Sequence, residues 1–140
     1  AFKLLLGINI LIKIIIQGRI VDHHAVRVRN VRVAPAVLPG QERSDQLASG
    51  IRVLIYAGDQ DFICNHLGNH AWTQAMSWPH QKDFNATALA PWSVGGKEAG
   101  LKQSSHNFTF LRVYDAGHMV PRDQPEAALA MVNAFLTDKL

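Results

Sequence analysis

A run of mostly apolar residues, IRVLIYAG, occupies residues 51–58 and constrains the fold more than any other stretch of the chain. It is rich in β-branched residues and ends at Gly58, a pattern typical of a strand that is covered on both faces in a parallel sheet. A second run, FTFLRVYDAG, covers residues 108–117. Because parallel strands need long and usually helical connections, the two runs predict an α/β protein.

The segments that follow the two strands have helical patterns. HLGNHAWTQAMSW, from residue 66, places Leu67, Trp72 and Met76 at roughly helical spacing. In DQPEAALAMVNAFL, from residue 123, Asp123 is the predicted N-cap, Pro125 lies in the first turn, and Glu126 completes a capping box. The predicted buried face of this closing helix consists of Ala128, Leu129, Val132, Phe135 and Leu136.

Two stretches predict irregular structure. Residues 38–50 contain Pro, Gly and polar residues and predict a loop or linker, with a short helical stub around residues 45–47. Residues 79–107 are polar and contain Pro79, Pro91, Gly95 and Gly96, so we expect an excursion with short elements there.

The first third of the chain differs from the rest in charge and aromatic content. Residues 1–50 contain seven Lys and Arg against three Asp and Glu, a net charge of +4, whereas residues 51–140 have a net charge of −1. Phe2 is the only aromatic residue among the first fifty, and the other ten follow. We therefore predict two parts, an atypical apolar and basic segment over residues 1–44 and a globular part over residues 45–140.

The apolar stretch over residues 2–16 is too short to span a membrane as a helix, and Lys13 would lie deep within it. A signal-peptide core and an Ile-rich strand are the alternatives. The Val and Arg alternation that follows contains Arg27, Arg29 and Arg32. It favours a solvated strand face over a nucleic-acid or membrane stripe, because no aromatic residues are interleaved with it.

The single cysteine, Cys64, excludes an internal disulfide and hence the small disulfide-rich class. Two glycosylation sequons, at Asn85 and Asn107, favour a secretory or lysosomal route.

Acidic residues and a histidine follow the two predicted strands. Asp59 and Asp61 come after the first strand, and His118 comes after the second, 57 residues beyond Asp61. Loops past the carboxyl ends of strands hold the active groups of open α/β sheets. An Asp followed by a His is the order in which α/β-hydrolases place the acid and the base of their triad after the serine.

The long strings GDQDFICN and GHMVPRDQPE, together with the sequence around them from about residue 49 to 135, resemble the C-terminal part of the serine carboxypeptidases, and the carboxypeptidase Y group in particular. The resemblance implies part of an α/β-hydrolase fold, no cofactor, and removal of C-terminal residues from peptides in the vacuole, the lysosome or outside the cell. It implies that Asp61 is the triad acid and His118 the general base. Cys64 and Met119 match positions that line the substrate pocket, and Asn65 matches the step that follows the cysteine.

Other interpretations of these residues remain. Asp59 is expected to shape its turn through backbone hydrogen bonds. His66 and His70, four residues apart, have the spacing of a metal pair but lack the Glu of the metalloprotease motif, so no metal site is predicted. Cys64 with His118 could form a cysteine nucleophile and base. A non-catalytic pseudoenzyme, or a binding fragment with residues 1–20 on a membrane, is the alternative function.

The nucleophile elbow of the family is absent from the 140 residues, because none of the six serines lies in a Gly-x-Ser-x-Gly setting. We therefore expect a fragment that is inactive alone. Its sheet should expose edges and apolar faces, and the chain should be poorly stable, unless the Ile-rich and Val-rich strands of the first third replace the missing neighbours.

Overall fold

The computed structural model describes residues 13–17, 31–33 and 40–140, with side chains from Arg43 onward. Six strands form one sheet in the order β2-β1-β3-β6-β5-β4. The strands are β1 (Lys13–Gln17), β2 (Val31–Val33), β3 (Arg52–Gly58), β4 (Ala90–Val94), β5 (Lys97–Ser105) and β6 (Phe108–Val113). The helices are α1 (Gly40–Ala48), α2 (His66–Ala75), α3 (Gln81–Ala86), α4 (Val120–Asp123) and α5 (Pro125–Leu136).

The two predicted strands are neighbours at the centre of this sheet. β3 pairs with β6 in parallel, with Val53 opposite Phe108 and Gly58 opposite Val113. Both strands are nearly inaccessible to solvent because each face of the sheet carries a layer of side chains. The continuous apolar pattern of the two runs is therefore the expected consequence of burial on both faces, and the predicted α/β class is confirmed.

Two hydrophobic clusters cover the sheet. On one face, α1, α2 and α3 pack over the side chains Leu47, Val53, Ile55, Met76, Trp78, Phe84, Phe108 and Phe110. On the other face, α5 packs over a cluster that includes Leu54, Tyr56, Leu111, Val113, Met131 and Phe135. Because alternate residues of β3 belong to different clusters, the strand joins the two halves of the core.

Residues 79–107 contain short elements as predicted, but two of these elements extend the sheet and are not an excursion from it. β4 and β5 form an antiparallel hairpin, and the nine-residue β5 pairs with β6. The turn between them is Gly95-Gly96, whose φ angles of 59° and 81° favour glycine. These strands are mostly half-buried or exposed, so their polar composition concealed them.

The predicted loop over residues 38–50 is instead largely helical, since α1 begins at Gly40 and extends well beyond the predicted stub. This helix crosses the predicted boundary between residues 44 and 45, and the division of the chain at that position stays a prediction.

The edge of β3 that does not face β6 is paired. β1 lies antiparallel to β3, with Ile15 opposite Leu54, and β2 lies antiparallel to β1. We expected this edge to be exposed unless strands from the first third of the chain replaced the missing neighbours. In the structure, strands from the first third occupy this position. The sheet is mixed, since β3 and β6 are the one parallel pair among the described strands.

The apolar stretch at residues 2–16 ends in a strand of the sheet. Most of residues 2–16, together with Arg27 and Arg29, lie outside the described residues, whereas Lys13–Gln17 is a strand. Within the described ranges, none of the helices has the length and apolarity needed to cross a membrane.

The closing helix differs from its prediction in its cap and in its buried face. Its N-cap is Gln124, not Asp123, and Pro125 occupies the first position. The side chains of Ala127, Ala128, Met131 and Phe135 are buried, whereas Leu129 is 51% exposed. Residues 127, 131 and 135 follow one another at intervals of four, and residue 128 lies next to them on the same face of the helix. Leu129 lies outside this buried stripe.

Candidate active site

The loops that follow β3 and β6 are joined by backbone hydrogen bonds. The N–H of Asp59 donates to the carbonyl of Val113 (3.0 Å), and that of Gln60 donates to the carbonyl of Ala116 (2.9 Å). A Cβ on Gly58 would lie 2.1 Å from the carbonyl oxygen of Ala116. Only glycine lets the first loop approach the second this closely.

This approach brings the two predicted catalytic residues together. Oδ2 of Asp61 lies 2.9 Å from Nδ1 of His118, although the residues are 57 positions apart in the chain. Oδ1 of Asp61 accepts the backbone N–H of Cys64 at 2.9 Å. The carboxylate side chain is 2% exposed and the imidazole is 39% exposed. A buried carboxylate therefore holds an imidazole whose opposite edge, with Nε2, remains for a substrate or a nucleophile.

Such an arrangement can perform the acid–base half of a hydrolytic triad. The carboxylate fixes the ring orientation and the tautomer with the proton on Nδ1, which leaves the lone pair of Nε2 to accept a proton. Within the described residues, no hydrogen bond joins a serine hydroxyl to His118.

The side chains of Gln124 and Asp123 hold the loop that bears His118. Asp115 adopts a φ of 52°, which is uncommon for a non-glycine residue, and its carbonyl accepts Nε2 of Gln124 (3.1 Å). Oδ2 of Asp123 accepts the N–H of Gly117 (2.9 Å), directly before His118. The sequence suggested only a helix cap for Asp123. Its place in the string GHMVPRD, five residues after the histidine, was the available signal for a role in positioning it.

The predicted pocket residues lie beside this pair. The Sγ atom of Cys64, a carboxylate oxygen of Asp61 and a ring nitrogen of His118 all lie within 4.8 Å of one another, so the Cys64 thiol is next to the imidazole. Cys64 and Met119 are both half-buried, and Met119 directly follows the histidine. Their positions are compatible with a pocket wall, and their substrate-binding roles stay predictions.

Asn65 has a structural task in the α2 helix. Its side-chain Oδ1 accepts the N–H of Gly68 at 2.8 Å, which caps the first turn. A substrate-binding role for Asn65 stays a prediction, and the capping bond restricts it to the side-chain amide nitrogen or to the backbone.

The two histidines of α2 do not share a metal-ligand cluster within the part of the chain that the structure describes. Nε2 of His70 lies 2.6 Å from Oε1 of the buried Gln103, and its ring stacks on Phe110. Burial is the main cause that lowers the pKa of His66, and the positive charge of Arg112 lowers it further, against the opposing effect of Asp59.

Asp59 is not paired with a histidine side chain in the manner of Asp61. Its Oδ2 lies 3.4 Å from Nη2 of Arg112, and its backbone N–H is one of the bonds that join the two loops. The expectation that Asp59 shapes its turn through backbone hydrogen bonds stays a prediction.

Apolar side chains surround the loop of Asp61 without cover from the described residues. Phe62 is 93% exposed, Ile63 is 81% exposed and Leu67 is 70% exposed. The predicted helical position of Leu67 is correct, but its side chain points away from the core that Met76 enters. Three of the five exposed large hydrophobic side chains of the described residues therefore lie within six positions of Asp61 in the chain.

The two sequons differ in their surroundings. Asn85 is exposed on α3, and its Nδ2 donates to the carbonyl of Gln74 (3.1 Å). Nδ2 of Asn107 donates to two carbonyls, those of Leu47 (2.9 Å) and Ile51 (2.8 Å). Thr109, the third residue of the second sequon, is 6% exposed.

A family model described as serine carboxypeptidase matches residues 33–138. The chain belongs to the serine carboxypeptidase family. The match includes both strings on which the resemblance was based, and it begins before the predicted boundary at residue 45.

Individual relatives agree with this assignment. Carboxypeptidase Y of Schizosaccharomyces pombe is 54% identical over 94 residues, which are 67% of this chain and 9% of that protein. Carboxypeptidase Y of Komagataella phaffii is 51% identical over 94 residues, or 67% of this chain and 18% of that protein. The vacuolar serine-type carboxypeptidase ATG42 of Saccharomyces cerevisiae is 50% identical over 96 residues, or 67% and 19%. The chain therefore spans less than a fifth of the length of these relatives.

A solved structure confirms the fold. The chain is similar to Kex1(delta)p, a prohormone-processing carboxypeptidase from Saccharomyces cerevisiae, with a TM-score of 0.63 and 28% identity. The similarity covers 71% of this chain and 22% of that one. The predicted α/β-hydrolase fold is thereby confirmed for this part of the domain.

Proposed function

We propose that this chain supplies the acid and the base of a serine-type carboxypeptidase, with Asp61 as the triad acid and His118 as the general base. The observation on which the proposal depends is the 2.9 Å contact between Oδ2 of the nearly inaccessible Asp61 carboxylate and Nδ1 of His118. The substrates are peptides, and the nucleophilic serine comes from sequence beyond these 140 residues.

The reaction follows from the position of the free imidazole edge. Nε2 of His118 takes the proton of the serine hydroxyl while the serine oxygen attacks the scissile carbonyl, and then gives that proton to the departing amine of the terminal residue. The resulting acyl-enzyme is hydrolysed by a water whose proton passes through the same nitrogen. Asp61 stays ionised and stabilises the imidazolium.

The loop around Asp61 forms one wall of the substrate pocket in this proposal. Cys64 and Met119 contact the side chains at the end of the peptide, and Asn65 lies at the rim. The thiol is not the nucleophile, since the family to which the chain belongs uses a serine.

A chimera tests this proposal. Residues 45–140 replace the segment that they match in Komagataella phaffii carboxypeptidase Y, and hydrolysis of an N-blocked dipeptide is measured. We expect activity in the chimera and none in the 140-residue chain. In the chimera, His118→Ala should lower kcat by about 10⁶-fold, because the members of a triad act as a unit.

His106→Asn is the matched control for this substitution, because it removes a histidine that also faces a carboxylate but lies at the other end of β6. It should leave the activity unchanged. Full activity in the His118→Ala chimera would contradict the assignment of the general base.

We further propose that the protein follows the secretory route to the vacuole, lysosome or exterior and bears a glycan at Asn85 and not at Asn107. A glycan replaces one hydrogen of the side-chain amide. At Asn107 both amide hydrogens are engaged by the carbonyls of Leu47 and Ile51. At Asn85 a single bond to Gln74 uses one, and the exposed α3 position leaves room for a sugar.

Secretion of the chain from yeast behind a leader, followed by endoglycosidase treatment and mass analysis, tests the glycan assignment. We expect one glycan that Asn85→Gln removes and Asn107→Gln does not. A glycan that persists in the Asn85→Gln variant would show that Asn107 is the acceptor.

A further inference from the structure

A second cluster of ionisable side chains lies away from the candidate active site. It consists of His80, which is the N-cap of α3, Asp83 in the first turn of that helix, and His106 in the turn between β5 and β6. His106 precedes the start of β6 and His118 follows its end, so the length of the strand, roughly 20 Å, separates the two clusters.

The ligand atoms of the three side chains lie close together. Oδ2 of Asp83 lies 3.0 Å from Nε2 of His106 and 3.6 Å from Nδ1 of His80. All three ligand atoms lie within 4.8 Å of one another. Around a tetrahedral zinc ion with bonds of about 2.0–2.1 Å, neighbouring ligand atoms are about 3.3 Å apart. The two measured separations lie on either side of this value.

We propose that His80, Asp83 and His106 form a binding site for a divalent transition-metal ion such as Zn²⁺. Imidazole and carboxylate are ligands that zinc, copper and nickel accept. The side chains of both histidines are 45% exposed and that of Asp83 is 61% exposed. Water from the solvent can therefore complete the coordination shell.

The backbone on both sides of the cluster is fixed. His106 has a φ of 52°, and the next residue, Asn107, is tied by its side chain to the carbonyls of Leu47 and Ile51. The His80 ring packs edge-on against the buried Trp78, with ring centroids 5.6 Å apart. The ligands thus come from anchored positions on two segments, and an ion there would link α3 to the turn between β5 and β6.

The arrangement of the two histidines favours an ion over a hydrogen bond alone. Their rings stack with centroids 3.7 Å apart and planes inclined by 17°, and both face the same carboxylate oxygen. A hydrogen bond to that oxygen needs a proton on the ring nitrogen that faces it, whereas a metal ion is bound through the nitrogen lone pair. A metal ion binds the lone pairs of both neutral rings and the carboxylate at once, after the exposed rings turn about their outer torsions.

Zinc titration of the 140-residue chain in competition with a chromophoric chelator tests the proposal. His80→Asn, Asp83→Asn and His106→Asn are suitable variants, because asparagine is a good N-cap and tolerates a positive φ. We expect one bound Zn²⁺ per chain and a loss of affinity of at least ~10–100-fold in each variant, since even outer-shell partners of a metal site have effects of this size.

The cluster of Asp61, Cys64 and His118 is the competing site, and the Cys64→Ser variant distinguishes the two. We expect the zinc affinity to be unchanged in this variant, and we expect bound Co²⁺ to show no thiolate charge-transfer absorption. Circular dichroism of each metal-free variant verifies its fold. Binding that survives His106→Asn in a folded chain, or a thiolate band that disappears with Cys64→Ser, would overturn the proposal.

Discussion

Two histidine–aspartate pairs at opposite ends of β6 have almost the same distance between nitrogen and oxygen, but their carboxylates differ in exposure to solvent. Asp61 and His118 are 2.9 Å apart, and Asp83 and His106 are 3.0 Å apart. The first carboxylate is 2% exposed and the second is 61% exposed. The separation of the atoms therefore does not distinguish the proposed catalytic pair from the surface pair, whereas the burial of the acid does.

The physical reason lies in how firmly each carboxylate is held. Asp61 is surrounded by protein and accepts the N–H of Cys64, so its second oxygen has one orientation toward His118. Charges in such a site interact through a low dielectric and are little screened. Asp83 is open to water, where an ion pair contributes about 0–1 kcal/mol and exchanges partners readily. The first pair is suited to fix a tautomer and the second to exchange ligands.

The largest effect that should separate the two pairs is on catalysis. In the chimera with Komagataella phaffii carboxypeptidase Y, Asp61→Asn should lower kcat by about 10⁴-fold, because an amide in this place favours the wrong tautomer of the base. Asp83→Asn is the matched control and should leave kcat unchanged. Steady-state hydrolysis of an N-blocked dipeptide measures both. Equal losses in the two variants would refute the distinction between the pairs.

A smaller effect concerns Asp123, whose carboxylate holds the N–H of Gly117 next to His118. Asp123→Ala should lower kcat by about 10²-fold through misplacement of the imidazole, with little change in KM. Asp123→Asn retains an oxygen that can accept the bond and should restore most of the rate. If the Asn variant were as impaired as the Ala variant, a positioning role through this hydrogen bond would be wrong.

The close contact of the loops that bear Asp61 and His118 makes Gly58 sensitive to substitution. A methyl group there would meet the Ala116 carbonyl, so Gly58→Ala should lower the free energy of unfolding by about 1–3 kcal/mol. Gly68→Ala is the control, since its added Cβ would lie 3.4 Å from the nearest atom, Oδ1 of Asn65. That substitution should stabilise α2 by up to about 1 kcal/mol. Urea denaturation of the chain measures both, and a Gly58→Ala variant as stable as the parent would contradict this account.

The smallest effect is the pH dependence contributed by His66, a further histidine near an aspartate. Its pKa lies below the ordinary value of 6.5, chiefly because of burial and then because of Arg112. The unfolded chain therefore binds a proton at a higher pH than the folded chain does. Stability should fall as the pH drops from 6.5 toward the lower folded pKa. His66→Gln should flatten this part of a denaturation profile, and an unchanged profile would show that His66 does not contribute.

The sequence predicted those parts of the molecule whose pattern is local. The apolar runs that became β3 and β6 are buried on both faces. Asp61 and His118, which the fold brings together, were identified by the resemblance of the strings around them to the serine carboxypeptidases and not by a local pattern. The β4–β5 hairpin was missed because its strands are largely exposed, and because the Gly95-Gly96 turn between two polar segments was taken for a loop.

Contacts between distant segments could not be predicted from the sequence for a different reason. Asp83 and His106 are 23 positions apart and meet only because β5 turns back at His106 toward α3. Asp123 lies beside Gly117 because the helical turn α4 folds back on the loop. Neither contact follows from a period or a spacing in the sequence.

The tautomer of His118 tests most directly whether Asp61 holds the base of the triad. Two-bond ¹H–¹⁵N correlation spectra of the chain, recorded at alkaline pH where imidazoles are neutral, distinguish the two forms. We predict that His118 has its proton on Nδ1, that Asp61→Asn removes this preference, and that Asp83→Asn leaves it unchanged. A proton on Nε2 of His118 in the parent chain would contradict the account.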